Sequence, residues 1–530
     1  MMPKPVVGCL TVAALLGAMF GCDPPLPPPH PRVQPTATVS SVPSASFAVP
    51  SPVPESGATR YFGVGNANWQ TLTNGLAVGT LTNSVLPVVH LRFVVMSGSG
   101  SDGDLPGLSA MTARLLKEGG AAGLSAQKLT EQIELLGSSL SVSTFPDRTV
   151  FSMTVSRDLL GDALKWMGAV IQTPSLAAAE HSALKKRMVT EAQSRARENP
   201  SWMGSMALYQ KLFQDPQSPY FHFDATTIEL EKVTLGDCKR FYNKAYVSKN
   251  MFLLLAGDVS PNDALSLAQT HLNQLQTAEP PTAVSAVNPS INGLSITVVD
   301  RPKSTQSHVY VGMFGPERLT EDWPAWLVLN HILGGPSGRL YSAVREKAAL
   351  AYSVSTQVTE FTNGPQTAPK SNSKAIGVTF AATEPTKTAL TVQTILQEID
   401  KLHALPPTET ELSNSIRFLT ANIAVRFETV GALADEWVKN YRAGRVNETP
   451  DRQRADIQSV TAARAVYVTN VFVRSSRAAV VVVGDGDTLA PLLSELGTVL
   501  VVDPQASFAV KRTVPSKVKP ALTNPSEPQK

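Results

Sequence analysis

The sequence predicts an α+β fold made of two similar halves, each a sheet packed with helices. The first observation is a repeated order of strand, polar loop and proline-started helix, once in each half. The second is a pair of apolar strands over 252–258 and 479–485, which both end in Gly-Asp. The third is a stretch rich in Pro, Ala and Ser between the two copies, over 277–292.

The two copies of the repeat correspond element by element. Alternate residues are apolar over 88–96, which predicts a strand with one buried face. A Gly/Ser/Asp loop follows, and an apolar helical stretch spans 106–120, with proline near its start and a Gly pair at its end. The second copy has its strand over 309–314 and its helical stretch over 324–335. The Gly-Asp ends of the two copies, at Gly257 and Gly484, are 227 residues apart, a credible length for one domain.

These features divide the chain into segments. The first half is predicted over 61–276, the linker over 277–292 and the second half over 293–505. Residues 22–60 are rich in Pro, Ser, Ala and Val, which predicts a stiff tether with polyproline II character. The Lys, Pro and Ser content of residues 506–530 predicts a disordered tail.

The N-terminus predicts export and anchoring. Residues 1–21 have the pattern of a signal peptide, and their apolar run, 6–20, is shorter than the roughly 20 residues of a membrane span. Gly21-Cys22 after this run resembles a bacterial lipoprotein processing site. We therefore expect a lipid on Cys22 and a periplasm-facing lipoprotein in the cell envelope, at either membrane. The alternative is an ordinary cleaved signal.

Composition excludes several classes of function. The formal net charge is +3 without a Lys/Arg block that interleaves with aromatics, so nucleic acid is not an expected partner. The three cysteines, Cys9, Cys22 and Cys238, supply neither a disulfide framework nor a thiolate metal site. No two of the eight histidines lie within one helical turn, so a helix-borne zinc pair is absent. Phosphate-loop and serine-elbow motifs are also missing.

One segment of the second half is distinctive. It reads Asn330-His331-Ile332-Leu333-Gly334-Gly335, Gly338-Arg339-Leu340, Val344-Arg345-Glu346-Lys347 and Leu350-Ala351-Tyr352-Ser353. This segment resembles the second half of the insulinase/pitrilysin-type zinc peptidases, the inverzincins. The duplication, the Gly-Asp strand ends and the linker agree with that family over residues 62–504. The resemblance implies two halves that enclose a chamber.

The resemblance also implies a degenerate zinc site. In that family the first half carries HxxEH on a helix, and two histidines with a distant glutamate bind zinc. The matching positions here hold Ala110, Ala113 and Arg114, while Glu191 stands where the family places its third ligand. We expect no metal in this chain, because a guanidinium has donors and no acceptor. Arg114 is expected to pair with Glu191 as a fixed cation in the metal's place. The alternative is that both residues face a polar chamber without contact.

A second pair matches the family in the second half. Family members carry an arginine and a tyrosine, seven residues apart, that contact substrate and stabilise the developing oxyanion. Arg345 and Tyr352 have this spacing, and both side chains can donate toward negative charge at a carbonyl. The alternative is structural, with Arg345 capping a helix end and Tyr352 packed within a strand.

Together these residues predict the zinc-less subunit of a two-chain metallopeptidase. A homologous partner with HxxEH would bring the zinc, and Arg345 and Tyr352 would act in trans. The peptide substrate would add a strand to a sheet edge. Two alternatives stay open: an inactive peptidase-like binding or scaffold lipoprotein, and an independently active metallopeptidase. Ala110, Ala113 and Arg114 argue against the second of these.

Overall fold

The computed structural model describes most of the predicted folded body. It covers residues 65–216, 218, 220–281, 291, 293–361, 374–442, 444–445 and 448–518. The predicted signal peptide, Cys22, the tether and most of the linker lie outside the described residues. Within the described ranges, no helix is long and apolar enough to cross a bilayer.

The first half holds a six-stranded sheet of mostly antiparallel strands. Its strands are β1 (Asn68–Thr71), β2 (Ala77–Thr82), β3 (Val88–Val95), β4 (Ser141–Thr144), β5 (Thr149–Ser156) and β6 (Met251–Gly257). Its helices are α1 (Leu108–Glu118), α2 (Ala126–Glu134), α3 (Leu160–Gln172), α4 (Ala178–Glu198), α5 (Pro200–Phe213), α6 (Thr227–Leu230), α7 (Leu235–Ala245) and α8 (Pro261–His271). The strands lie in the order β1-β2-β6-β3-β5-β4, and only β2 and β6 pair in parallel.

The second half holds a seven-stranded sheet. Its strands are β7 (Ser295–Asp300), β8 (Ser307–Glu317), β9 (Ala351–Phe361), β10 (Lys374–Thr383), β11 (Ala479–Gly484), β12 (Val499–Asp503) and β13 (Ala509–Val514). Its helices are α9 (Asp322–Gly334), α10 (Thr388–Ala404), α11 (Glu409–Arg426), α12 (Val430–Arg442), α13 (Pro450–Gln458), α14 (Ala462–Phe472) and α15 (Gly486–Leu493), and a π-helix spans Tyr341–Lys347. The strand order is β13-β12-β7-β11-β8-β10-β9.

The strand orders confirm the predicted duplication. The order β2-β6-β3-β5-β4 in the first sheet recurs as β7-β11-β8-β10-β9 in the second. The pairs β2/β6 and β7/β11 are both parallel, and the neighbouring pairs β6/β3 and β11/β8 are both antiparallel. The predicted helical stretches also match, because α1 and α9 begin and end within two residues of the expected positions. The chain is therefore an α+β protein of two similar halves.

The two Gly-Asp strands are the centres of their sheets. β6 and β11 are apolar at every position and buried on both faces, as expected for strands covered on two sides. β6 ends at Gly257, whose φ of +136° is unfavourable for other residues. A Cβ there would lie 2.1 Å from the carbonyl oxygen of Val88, so the close approach of β3 also requires glycine.

Helix α5 of the first half packs on the second sheet. It contacts β7, β8 and β11, and its apolar side chains share a core with the facing strands. The buried members include Met203, Met206, Leu208, Leu212, Val481 and Val483. The approach is close at Gly204, where a Cβ would lie 2.2 Å from the Tyr310 ring. One face of the second sheet is thus covered by a helix from the other half.

Helix α12 of the second half packs in the same way on β3 and β6. The ring of Tyr441 lies 4.3 Å from that of Phe252. Arg92 Nε donates to Asp435 Oδ1 at 2.7 Å across the same contact. Because each sheet is covered on its second face by a helix of the other half, the described residues do not display the enclosed chamber that was expected between the halves.

The predicted tail is wrong at its start. Strand β13 pairs antiparallel with β12, and Phe508 is buried against Trp202 with ring centroids 5.7 Å apart. The second half therefore extends beyond residue 505, to at least 514. This strand was not predicted because its Lys and Arg residues are not typical of a buried strand. An edge strand tolerates such residues on its exposed surface. Lys511 Nζ, for example, lies 2.6 Å from Asp300 Oδ2.

We expect Gly204→Ala to weaken the contact between the halves. The added methyl meets the buried Tyr310 ring, and such overpacking costs about 1–3 kcal/mol. Gly161→Ala in α3 is the matched control, because its Cβ meets only Leu267 Cδ2 at an ordinary 3.7 Å. Thermal unfolding of both variants checks this, and an unchanged melting temperature for Gly204→Ala would refute the close packing.

Candidate functional site

Helix α1, which carries the positions of the lost zinc motif, is fixed at its N-terminus by a buried carboxylate. Asp102 accepts hydrogen bonds from the backbone N–H of Gly107 at 2.7 Å and of Ser109 at 2.8 Å. Burial raises the pKa of Asp102 to about 7, although these hydrogen bonds oppose the shift. The sequence interpretation missed this residue, whose only signal is an acidic side chain shortly before a helix start.

Arg114 and Glu191 are in direct contact. Arg114 Nη1 donates to Glu191 Oε2 at 2.7 Å, and Nη2 donates to Oε1 at 3.2 Å. Two parallel bonds between a guanidinium and a carboxylate form the bidentate geometry that is strongest for this pair. Arg114 lies on α1 and Glu191 on α4, so the contact joins these two helices. The pairing expected from the sequence is present, and the alternative without contact is not.

The pair belongs to a larger ionic network. Glu118, one turn after Arg114, accepts from Arg114 Nε at 3.4 Å and also contacts Arg187. Arg187, Glu191 and Arg195 follow one another at four-residue spacing on α4, so they share a face of that helix. The sequence interpretation missed Glu118 and Arg187, which the same four-residue spacing could have revealed.

Both members of the central pair are charged at neutral pH. Burial alone would raise the pKa of Glu191, but the hydrogen bond and charge of Arg114 outweigh it and hold that pKa below its usual range. Burial likewise disfavours the Arg114 cation, and Glu191 more than compensates, so the pKa of Arg114 is raised. The contact is therefore a salt bridge at neutral pH.

These residues do not fit a zinc ion. Ala113 is buried in the core of the first half, and Ala110 packs against that core. Their methyl groups cannot bind a metal, and the guanidinium of Arg114 has no lone pair to offer. Among the residues that the structure describes, no group of three His, Cys, Asp or Glu side chains is placed to hold a metal. A salt bridge therefore joins the two residues that the resemblance aligns with the second histidine and the third ligand of the family's zinc site.

Arg345 lies on an irregular segment of the second half. The π-helix over Tyr341–Lys347 exposes the Arg345 side chain, and its guanidinium lies 5.1 Å from the centroid of the Tyr341 ring. The segment ends at Ala349, whose φ of +46° is left-handed and uncommon for alanine. Single π-turns recur at functional sites, where they re-aim a side chain.

Tyr352 lies on a second irregularity, at the start of edge strand β9. Ala351 pairs with Thr383, while Ser353 pairs with Ala382, so Tyr352 is the extra residue of a β-bulge. Its side chain is 70% exposed. This exposure contradicts the alternative in which Tyr352 packs within a strand. The π-helix and the bulge have no recognisable signal in the sequence, because both are backbone responses to packing.

The pair Arg114/Glu191 and the pair Arg345/Tyr352 lie in different halves of the chain. In the described part of the chain, no hydrogen bond, ion pair or ring contact links Arg114 or Glu191 with Arg345 or Tyr352. Helix α1 contacts elements of the first half, whereas β9 contacts the π-helix, α9 and β10. A single chain thus presents an ionic network in one half and an exposed Arg/Tyr pair in the other.

We predict that the salt bridge can be exchanged for a metal site. The double variant Ala110→His/Arg114→His places two imidazoles four residues apart on α1, opposite Glu191, and water can complete a tetrahedron. Zinc titration by calorimetry should detect one site per chain. The control with Glu191→Gln added should bind at least tenfold more weakly. Equal zinc affinity in the two variants would show that Arg114 does not occupy a metal position.

Family models match both halves. A model described as "Insulinase (Peptidase family M16)" matches residues 78–219, and one described as "Peptidase M16 inactive domain" matches residues 232–419. The first match includes the positions of the lost zinc motif and Glu191, and the second includes Arg345 and Tyr352. Together they span more than half of the chain.

Similar proteins and structures agree with these matches. An uncharacterized zinc protease of Rickettsia bellii is 23% identical over 431 residues, which cover 78% of this chain and 97% of that protein. The non-peptidase homolog YmxG of Helicobacter pylori is 24% identical over 360 residues, which cover 66% and 78%. The crystal structure of a peptidase M16 inactive domain from Pseudomonas fluorescens superposes with a TM-score of 0.69 at 24% identity, covering 79% and 98%.

The matched halves and the shared fold lead to one conclusion. This chain belongs to the insulinase family of peptidases, M16, as a peptidase-like member that lacks the zinc-binding motif.

Proposed function

We propose that this chain is the zinc-less subunit of a two-chain metallopeptidase and lends Arg345 and Tyr352 to a homologous partner that carries HxxEH. The observation that carries the proposal is the exposure of Tyr352 at the β-bulge, where the described residues provide no hydrogen-bond or ring partner for it. A tyrosine displaced from the strand ladder and exposed to solvent adds little to the packing of its own half, and its hydroxyl is accessible. It is suited to meet a group from outside the chain.

The chemistry of the pair supports this role. The Tyr352 hydroxyl and the Arg345 guanidinium both donate hydrogen bonds, and neither requires deprotonation to stabilise a developing oxyanion. The zinc of the partner would polarise the scissile carbonyl and activate water there. Strand β9 ends the second sheet, so its free edge can take an extended peptide as an added strand.

The salt bridge between Arg114 and Glu191 in the first half also favours a role beside a partner chain. Arg114 and Glu191 satisfy each other, so this half has no open metal position to complete by itself. Helices α5 and α12 each pack on the sheet of the other half and so hold the two halves of one chain together. We therefore expect a second chain to complete a chamber for substrate. Relatives named as zinc proteases are the kind of protein that could supply it.

A second candidate function is an inactive binding or scaffold protein. The similarity to the non-peptidase homolog of Helicobacter pylori and the salt bridge between Arg114 and Glu191 favour it. Peptide turnover distinguishes the two candidate functions. A subunit of an enzyme raises turnover when it is mixed with its zinc-bearing partner, and a scaffold protein does not.

We further propose that the chain is a lipoprotein of the cell envelope that faces the periplasm. The apolar run and Gly21-Cys22 support this proposal. Cys22→Ala should move the chain from the detergent-extracted membrane fraction to the soluble fraction, because one cysteine carries the whole anchor. Cys238→Ala is the matched control, since Cys238 is buried in the folded body. Membrane retention of Cys22→Ala would contradict the anchor.

The paired enzyme should depend on Tyr352. With an HxxEH-bearing homologue from the same genome, Tyr352→Phe should lower kcat on the order of 10²-fold, as for one lost oxyanion donor. Tyr467→Phe is the matched control, because Tyr467 is also exposed but lies on α14. Peptide cleavage measured with both chains, and with each alone, checks the proposal.

Two results would overturn it. Zinc-dependent cleavage by this chain alone would show that it has a site of its own. Unchanged kcat for Tyr352→Phe in an active pair would remove Tyr352 from the site. A pair that forms without any gain in cleavage would favour the scaffold function instead.

A further inference from the structure

Thr383, at the end of strand β10, lies at the point where the register with β9 changes. Up to Ala382, which is opposite Ser353, the two strands pair residue for residue. The next step of a regular ladder would place Tyr352 opposite Thr383. The structure places Ala351 there instead, so Tyr352 is left out of the ladder.

The shift in register decides which face of the sheet Tyr352 occupies. Residues directly opposite each other in a ladder have their side chains on the same face. Thr383 is 1% exposed, so the regular register would direct the Tyr352 ring to the buried face beside it. With the bulge, the small side chain of Ala351 takes this inner place at 8% exposure, and Tyr352 is turned out to solvent.

A buried hydroxyl holds the chain in the shifted register. Thr383 Oγ1 donates to the carbonyl oxygen of Leu350 at 2.5 Å, and Leu350 is the residue just before β9 begins. Thr391 Oγ1 of α10 lies 3.2 Å from Thr383 Oγ1 and can donate to it. The Leu350 N–H donates at 2.8 Å to the carbonyl oxygen of Val344, which lies on the π-helix. Leu350 is therefore held on both sides, in the short link between the π-helix and the bulge.

We propose that Thr383 is a positioning residue for Tyr352, because its hydroxyl anchors the bulge that turns the tyrosine outward. Thr383 is itself buried and cannot touch a substrate, so it acts only through Tyr352. The consequence for catalysis rests on the proposed function, whereas the consequence for the exposure of Tyr352 concerns this chain alone. The alternative is that Thr383 only packs in the core and that the bulge persists without its hydroxyl.

Nitration of the chain alone tests the positioning. Tetranitromethane modifies exposed tyrosines, and mass spectrometry of the peptides compares Tyr352 with Tyr467, which is also exposed. Thr383→Val keeps the side-chain volume and removes the hydroxyl. It should lower the nitration ratio of Tyr352 to Tyr467 several-fold, because the Leu350 carbonyl loses its buried donor. Thr383→Ser keeps the hydroxyl and should restore the ratio.

Thr379→Val is the matched control. Thr379 is also buried on β10, and its hydroxyl contacts that of Thr356 at 3.2 Å, away from the bulge. This variant should leave the nitration ratio unchanged. If thermal unfolding shows that Thr383→Val does not fold, Thr383→Ala replaces it, because alanine removes the hydroxyl and cannot overpack the core.

Kinetics of the paired enzyme test the consequence for catalysis. Thr383→Val should lower kcat about tenfold with little change in KM, since misplacing a group that acts in the transition state can cost up to about 10²-fold. In the Tyr352→Phe background, the same substitution should have little further effect, because Thr383 acts through the tyrosine hydroxyl. A merely structural residue would lower activity by the same factor in both backgrounds.

The positioning role is wrong if the folded hydroxyl-free variant nitrates Tyr352 as the unchanged chain does, or if Thr383→Ser does not restore the ratio. It is also wrong if Thr383→Val lowers kcat equally with and without the Tyr352 hydroxyl. A lower nitration ratio with unchanged kcat in an active pair would uphold the role of Thr383 and contradict the proposed function of Tyr352. The two failures are therefore distinguishable.

Discussion

The mutual covering of the two sheets by α5 and α12 is the contact on which the rest of the structure depends. Each sheet is apolar on both faces at its central strand, and the helices of its own half cover one face. The other half supplies the missing helix in each direction. Neither half can therefore bury its own sheet, and separation would expose the even-numbered residues of β6 and the odd-numbered residues of β11 to water. The duplicated halves form one cooperative body for this reason.

Within that body the two halves have diverged chemically while the backbone order stayed the same. In the first half, the partly buried bidentate pair of Arg114 and Glu191 joins helices α1 and α4. The second half presents Arg345 and Tyr352 on a π-helix and a β-bulge. Arg114 and Glu191 satisfy each other within the first half, whereas Arg345 and Tyr352 of the second half are exposed to solvent. This division of roles is easier to reconcile with an assembly than with a chain that works alone.

The sequence allowed the central strands and the helices after them to be predicted, because continuous apolar runs that end in Gly-Asp are unambiguous. It also led to the Arg114–Glu191 pair, through the resemblance and the chemistry of a guanidinium. The packing of α5 and α12 on the sheets of the opposite halves could not be predicted. Periodicity shows that a face is buried, but it does not show which segment covers that face. Strand β13 was missed because its six residues are almost all exposed. The bulge at Tyr352 depends on the register with β10, which a single strand does not encode.

The salt bridge between α1 and α4 has a consequence for how the chain matures. In a relative that carries HxxEH, as the family resemblance implies, the same helices would meet at an ion that must be delivered, and metal binding contributes to the folding free energy. Here both charges are part of the polypeptide, so the junction needs no delivered ion. The contact between these two helices therefore does not draw on the zinc content of the surrounding compartment.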